Sequence, residues 1–551
     1  MAETEPVQPP DPQDLSQAVL TLAGQSRRLM EGFLRRQMAG GFMDLEDVAA
    51  FLDLSEKMPL SPGAPPPAQP ALWQSRFLFD HLRQSHLLAA RWLQGLVAGA
   101  AGIDDQTRRK LDFYTRQFAD ALAPGGVPAA YPQALQATLA SGGQNLLDGL
   151  SRLLEDLERG RGRLAASSAA PDAFRPGANL AVTPGKVVFQ NELMQLLQYA
   201  PATPQVFRRP LLVVPPWINR YYVLDLRPAN SLVKWWVEQG LTVFVVSWVN
   251  PGPELAAKGF EDYLRQGPLA ALEAVAQASG VAEVNVAGYC LGGILLAAAL
   301  AWLAARGDRR VKSASLFATL LDFAQPGDLE AFIDEEQLTA LEQPQDDGRP
   351  QGSLTQTFSL LRANDLLWSY FADSYLPGRD RLPLDFLYWN CAATRLPVGL
   401  HRFYLHNLYQ RNLLKEPGGV TLAGTPIDLG RIKIPVYFLA AAGDHIAPWK
   451  SGYASARLLS GPVRFVLAGS GHVAGVVNPP AAGRHGYRAG PRLLPTAEAW
   501  LDAAARQDGS WWPDWLRWAG RHGGGKVPAR TPGDGGLAVI GDAPGAYATA
   551  G

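Results

Sequence analysis

Cysteine is nearly missing from this chain. Two in 551 residues, Cys290 and Cys391, build no disulfide framework and fit a reducing compartment. Charge imbalance is missing too: 50 basic against 51 acidic side chains leave a net charge of −1, so no overall field draws the chain to nucleic acid or an anionic membrane. The N-terminus, Met1-Ala-Glu-Thr-Glu-Pro6, has neither a basic start nor an apolar run, so no secretory leader is expected and a cytoplasmic location is. The longest apolar stretch, Leu291 to Ala305, is shorter than the about 20 residues that span a bilayer, so it reads as a buried helix and no transmembrane segment is expected. No metal-ligand spacing or dinucleotide-type glycine loop stands out, and no internal repeat is visible, so neither a metal nor a resident cofactor is expected.

What is there is globular. At 47% apolar and 18% charged residues the chain is not disordered wholesale, and its length calls for at least two packed units. Residues 1–14 read as a loose, proline-rich tail. Leu15, Val19, Leu22, Leu29 and Phe33 then fall near helical spacing, with Arg27, Arg28, Arg35 and Arg36 on the polar face. A proline-rich linker at 61–70 follows, and helical patterning resumes over Phe77–Ala98 and Gln144–Arg159. A helical N-terminal domain is expected over 15–180. From residue 210 the texture changes to short β-rich runs between helices: Leu211–Val214, Thr242–Ser247, Val284–Ala287, Ser313–Leu316 and Val436–Leu439. A mostly parallel α/β unit is expected over 181–523. The alternation stops between about 322 and 425, where an acidic loop and an aromatic-rich helical stretch read as a helical cap insertion. Residues 524–551 are Gly/Pro-rich, a C-terminal tail with weak structural signal.

The chemistry centres on Val284-Asn-Val-Ala-Gly-Tyr-Cys-Leu-Gly-Gly293, a strand-like run entering Gly288-x-Cys290-x-Gly292 and leaving into a helix. This is a nucleophile elbow with cysteine in the serine position. The flanking glycines are explained by a turn too tight for side chains, and the helix N-terminus favours a thiolate and a developing oxyanion. Leu291 would give one oxyanion-hole N–H. Ile434-Pro-Val-Tyr-Phe-Leu-Ala-Ala-Ala-Gly-Asp444 is a strand ending where the α/β-hydrolase fold presents its acid. Phe465-Val-Leu-Ala-Gly-Ser-Gly-His472 is another, ending where that fold presents its base. The order nucleophile, acid, base and the spacing of Asp444 and His472 suit a strand–helix–strand step. Plain alternatives are a buried structural cysteine, a helix-capping aspartate and a turn histidine, and His445 is read as packing beside the acid. Ile218 or Asn219, after the strand Leu211–Val214, offers the second oxyanion N–H, unless Pro215-Pro-Trp217 is only a packed turn. A thiolate exchanging thioester for thioester is nearly isoenergetic, which suits acyl loading from coenzyme A.

These runs, with others, carry a family resemblance: Thr183-Pro-Gly-Lys-Val-Val-Phe-Gln-Asn-Glu192, Pro215-Pro-Trp-Ile-Asn219, Tyr221-Tyr-Val-Leu-Asp-Leu226, Pro326-Gly-Asp-Leu-Glu330, Tyr388-Trp-Asn390, Gly471-His-Val-Ala-Gly-Val-Val-Asn-Pro-Pro480 and Gly509-Ser-Trp-Trp-Pro513. From about residue 70 onward the chain resembles the single-subunit polyhydroxyalkanoate synthases. The resemblance implies a helical domain followed by an α/β-hydrolase-like domain with a cap, and polymerisation of 3-hydroxyacyl-coenzyme A, expected as 3-hydroxybutyryl-coenzyme A. It also implies a homodimer on cytoplasmic polyester granules among granule surface proteins. Cys290 would carry the acyl unit, with His472 as base and Asp444 as acid. The sequence departs from the pattern at Ala392, where an acid is usual, and at Val249, where a basic residue is common; Cys391 is read as cap packing. Rival readings are an acyl-coenzyme A thioesterase or polyester depolymerase, and a granule-coating protein without chemistry.

Overall fold

The computed structural model describes residues 104–121, 174–328, 385–391 and 394–549, apart from Arg484 and Pro491. Of the expected helical N-terminal domain it therefore describes the helix α1, Asp105–Ala121; the helical stretches read at 15–33, 77–98 and 144–159 lie outside the described residues.

Among the described residues, eleven strands form the main sheet. In chain order they are β1 (Gly185–Gln190), β2 (Met194–Tyr199), β3 (Leu211–Val214), β4 (Val243–Trp248), β5 (Val284–Tyr289), β6 (Val311–Phe317), β7 (Val436–Ala441), β8 (Val463–Ala468), β9 (Tyr487–Ala489), β10 (Ala505–Gln507) and β11 (Gly541–Asp542). Across the sheet they run β10-β9-β8-β7-β6-β5-β3-β4-β2-β1-β11. The block from β8 to β4 is parallel throughout, and antiparallel strands extend it at both edges. The central strands are unbroken apolar runs because both faces are covered: every residue of β3, β4, β5 and β7 is buried. The helix α2, Leu291–Ala305, is likewise apolar nearly all round and packs on this sheet. Among the described residues no helix is long and apolar enough to cross a membrane.

The α/β-hydrolase architecture expected from the strand–turn patterns is thus present, and its parallel block points six strand ends at one rim. Two of the motifs meet at Asp225. Buried Asp225 accepts the hydroxyls of Thr183 (2.5 Å) and Ser231 (2.6 Å), with Tyr199 at 3.5 Å. Burial pushes its carboxyl up to about 6 against those donors. Asp225→Ala would leave these hydroxyls without an acceptor, so unfolding in denaturant should show a loss of about 3 kcal/mol or more.

The segment beyond Gly523 corrects the reading of 524–551 as a weakly structured tail. Lys526–Pro528 pairs with Gln205–Phe207, β11 extends the main sheet beside β1, and Ala546–Thr549 is helical. Tyr547 donates its hydroxyl to the Asn191 carbonyl and its N–H to Gln195, and its own carbonyl accepts from the buried Arg220. These ties are backbone pairing and single polar contacts, which leave no apolar periodicity in the sequence.

Candidate active site

Cys290 sits between β5 and α2 with φ 52 and ψ −122, a conformation non-glycine residues rarely adopt. The turn persists because its surroundings fix it. The Cys290 N–H donates to the Phe317 carbonyl at 2.9 Å, at the end of neighbouring β6. A Cβ on Gly288 would stand 2.5 Å from Gly293 Cα, and one on Gly292 would stand 2.1 Å from the Val214 carbonyl oxygen. Both glycines are therefore steric requirements of the elbow. The first N–H groups of α2, on Leu291 and Gly292, precede its hydrogen-bond ladder and lie at the positive end of the helix dipole, directly after Cys290.

Asp444 follows β7 and His472 follows β8, each a few residues past its strand. The Asp444 side chain is fully buried; Oδ1 accepts the N–H groups of Ile446 (2.9 Å) and Ala447 (2.8 Å), and Oδ2 lies 2.6 Å from His472 Nδ1. That carboxylate is held by backbone donors and orients one imidazole nitrogen, which leaves Nε2 for chemistry. His472 is buried, its carbonyl accepts the Tyr289 hydroxyl at 3.3 Å, and its ring lies 5.5 Å from the Tyr289 ring on β5. Burial opposes the charged imidazole, but the Asp444 carboxylate, then Cys290 as thiolate, outweigh it and raise the ring to about 10. Nε2 is buried as well, and it is the nitrogen that Asp444 leaves free for Cys290.

His445 stays outside this line, and its carbonyl accepts the N–H of Asp328 at 3.1 Å. Asp328 in turn accepts Arg116 of α1 at 2.9 Å, so the Pro326-Gly-Asp328 run ties the loop after β7 to the N-terminal segment. Ile218 and Asn219 are both buried in the loop after β3, and the Asn219 side chain accepts the Arg220 N–H at 2.7 Å. The Arg220 carbonyl takes the indole N–H of Trp389 at 2.7 Å, joining this loop to the helix α3, Asp385–Cys391.

Sequence reasoning missed the aromatic shell around this loop. Trp217 packs edge-on to Phe260 (6.0 Å) and Tyr404 (6.3 Å), and Phe403 stacks on Phe260 at 4.7 Å. In the aromatic-rich stretch read as the cap, Phe386 and Trp389 are stacked at 5.4 Å. A Trp immediately after Pro215-Pro216 was the signal at hand, but its ring partners lie far off in sequence.

Comparison with known proteins decides the family. Residues 68–236 match the model described as Poly-beta-hydroxybutyrate polymerase (PhaC) N-terminus, and residues 238–479 match the alpha/beta hydrolase fold. The chain is 47% identical to "Poly(3-hydroxyalkanoate) polymerase subunit PhaC" of Rhizobium meliloti, covering 86% of this chain and 78% of that one. It is 45% identical to "Poly(3-hydroxyalkanoate) polymerase" of Methylorubrum extorquens, covering 88% and 81%. It is 42% identical to the Cupriavidus necator "Poly(3-hydroxyalkanoate) polymerase subunit PhaC", covering 87% and 82%. The chain belongs to the poly(3-hydroxyalkanoate) polymerase family.

As a polymerase of this family it is an enzyme, an acyltransferase-type synthase. Of the two departures noted in this polymerase, Val249 packs against the core, and its N–H donates to the Leu193 carbonyl at 2.9 Å, continuing the pairing of β4 with β2. Ala392 and the Cys391 side chain lie outside the described residues.

Proposed function

We propose that the chain polymerises 3-hydroxyacyl units from coenzyme A, with 3-hydroxybutyryl-coenzyme A as the expected donor, through an acyl group held on Cys290. The convergence of Cys290, Asp444 and His472 at the ends of β5, β7 and β8, on one rim of the parallel block, is the observation that carries this reading. With the imidazole protonated beside the sulfur, the reactive form is a thiolate and imidazolium pair. The thiolate attacks the thioester carbonyl, and the oxyanion faces the N–H of Leu291 and an N–H of Ile218 or Asn219. The carbon–sulfur bond to coenzyme A breaks, and the departing sulfur takes the proton of His472 Nε2.

Acylation changes the electrostatics. Once the sulfur carries an acyl group its charge is gone, and with it one of the two attractions that held the imidazole proton. Neutral His472 then accepts the proton of the next 3-hydroxyl as that oxygen attacks the acyl-cysteine, which forms the ester and returns the thiolate. One residue thus serves as acid and then as base. No cofactor beyond the coenzyme A of the substrate enters this scheme. The aromatic shell around Trp217 supports exclusion of water, the competing nucleophile. The family resemblance supports a homodimer at the surface of cytoplasmic polyester granules.

The test is to follow thiol release and polymer yield together on the purified protein with 3-hydroxybutyryl-coenzyme A. Polymer forming in step with thiol is the expected result. Thiol with only free hydroxy acid would assign a thioesterase or depolymerase, and no release from short or longer acyl donors would leave the granule-coating role.

A further inference from the structure

We propose that the Tyr409 hydroxyl, oriented by Tyr404, recognises the 3-oxygen of the acyl unit on Cys290; the inference rests on the acyl-cysteine reading above. Both residues lie on the π-helical segment Tyr404–Gln410. In an α-helix, residues five apart diverge by about 140°, whereas the wider π turn brings them toward one face. π-Helical turns recur at functional sites for this kind of re-aiming. The two hydroxyls are 2.9 Å apart and buried, and the rings meet edge-on at 4.9 Å.

The pair is clamped on both sides of the nucleophile strand. Tyr404 packs against Trp217 in the loop after β3, and Tyr409 packs at 4.8 Å on Phe323 in the segment after β6. Those strands flank β5 in the sheet. Asn412, just past the π segment, accepts the Phe323 N–H at 2.9 Å and donates to Asp322 at 2.7 Å, locking the same side. The charge of Cys290 reaches both phenols, and that of Asp444 reaches Tyr409.

The hydrogen bond between the two hydroxyls uses one of the pair's two protons, and among the described residues the other has no acceptor; Tyr409, whose ring also packs on the segment after β6, is the member placed to present it. A buried hydroxyl with an unspent donor beside a nucleophile is a feature that calls for a ligand. In an acyl unit on Cys290 the oxygen beyond the thioester is the 3-oxygen, a hydroxyl in the first unit and an ester oxygen in a grown chain. Both accept a hydrogen bond, so one donor serves loading and elongation alike. A site built to hydrogen-bond a substrate oxygen discriminates against the analogue lacking it. Tyr409 is thereby a specificity-determining residue and Tyr404 its positioning residue.

The experiment measures single-turnover labelling of Cys290 by 3-hydroxybutyryl-coenzyme A and by butyryl-coenzyme A, which has no 3-hydroxyl. Tyr409→Phe should slow labelling by the hydroxylated donor about tenfold or more and leave the plain donor within about twofold. The plain donor reports on folding and on the sulfur, and the ratio reports on Tyr409. Tyr404→Phe should shift the ratio in the same direction by less. Equal slowing with both donors, or an unchanged ratio, overturns the proposal. Wild-type protein labelled by neither donor would overturn the acyl-cysteine reading instead.

Discussion

Cys290→Ala should abolish coenzyme A release and polymer formation together, lowering the rate by at least about 10⁴-fold, because no other group stands at the elbow to hold the acyl unit. Alanine has the same backbone preferences as cysteine at the strained φ and leaves the glycine contacts untouched. The variant should therefore unfold near the wild-type temperature, with a loss of about 1 kcal/mol for the missing sulfur. Activity lost with the fold intact is the signature that separates a nucleophile from a packed cysteine. Cys290→Ser should retain little activity, since a hydroxyl is not ionised by a neighbouring imidazolium as a thiol is.

Asp444→Asn should cost about 10³–10⁴-fold in polymer formation, the range seen when a triad carboxylate becomes an amide. Asparagine can still accept the N–H groups of Ile446 and Ala447, so the loop keeps its shape. Its amide can instead present an N–H to His472 Nδ1, which would place the ring proton on Nε2 and remove the base. The pH dependence follows from the sign of the shift. Burial works against the charged ring, but the Asp444 carboxylate and the Cys290 thiolate raise it from 6.5 to about 10. The folded state thus holds this proton more tightly than the unfolded chain. That stability is fully present below pH 6.5 and is lost as pH rises through about 10. Asp444→Asn removes the larger attraction. The wild type should be the more thermostable protein at neutral pH, with the difference closing as pH approaches the folded value. A difference that grows with pH would contradict the ion-pair assignment.

What the sequence made legible was local. Gly288 and Gly292 announce a backbone approach that a Cβ would block, and the Gly443-Asp444 and Gly471-His472 turns close strands whose apolar runs are unmistakable, so the three strand ends could be found before their distances were known. Less legible was whatever depends on partners remote in sequence. Tyr404 and Tyr409 sit in an aromatic-rich stretch where composition does not tell a plain core ring from one clamped against the loops that flank β5, and an extra residue per helical turn leaves no mark in periodicity. Strands β1 and β2 escaped notice because Gly185-Lys-Val-Val-Phe-Gln190 and Met194-Gln-Leu-Leu-Gln-Tyr199 mix polar with apolar residues, and β11 is two residues long. The Gly/Pro-rich segment after Gly523 escaped because its elements are as short, although Tyr547 reaches Arg220 in the loop after β3. Thr183 and Asp225 were visible as motif residues, but not as one buried hydrogen-bonded knot.

The most direct test of the covalent route is the mass of the peptide containing Cys290 after brief mixing with 3-hydroxybutyryl-coenzyme A and acid quenching. The account predicts a gain of one or more 3-hydroxybutyryl units on Cys290, removed by hydroxylamine and absent from Cys290→Ala. Polymer accumulating while that cysteine stays unmodified at every quench time would contradict it.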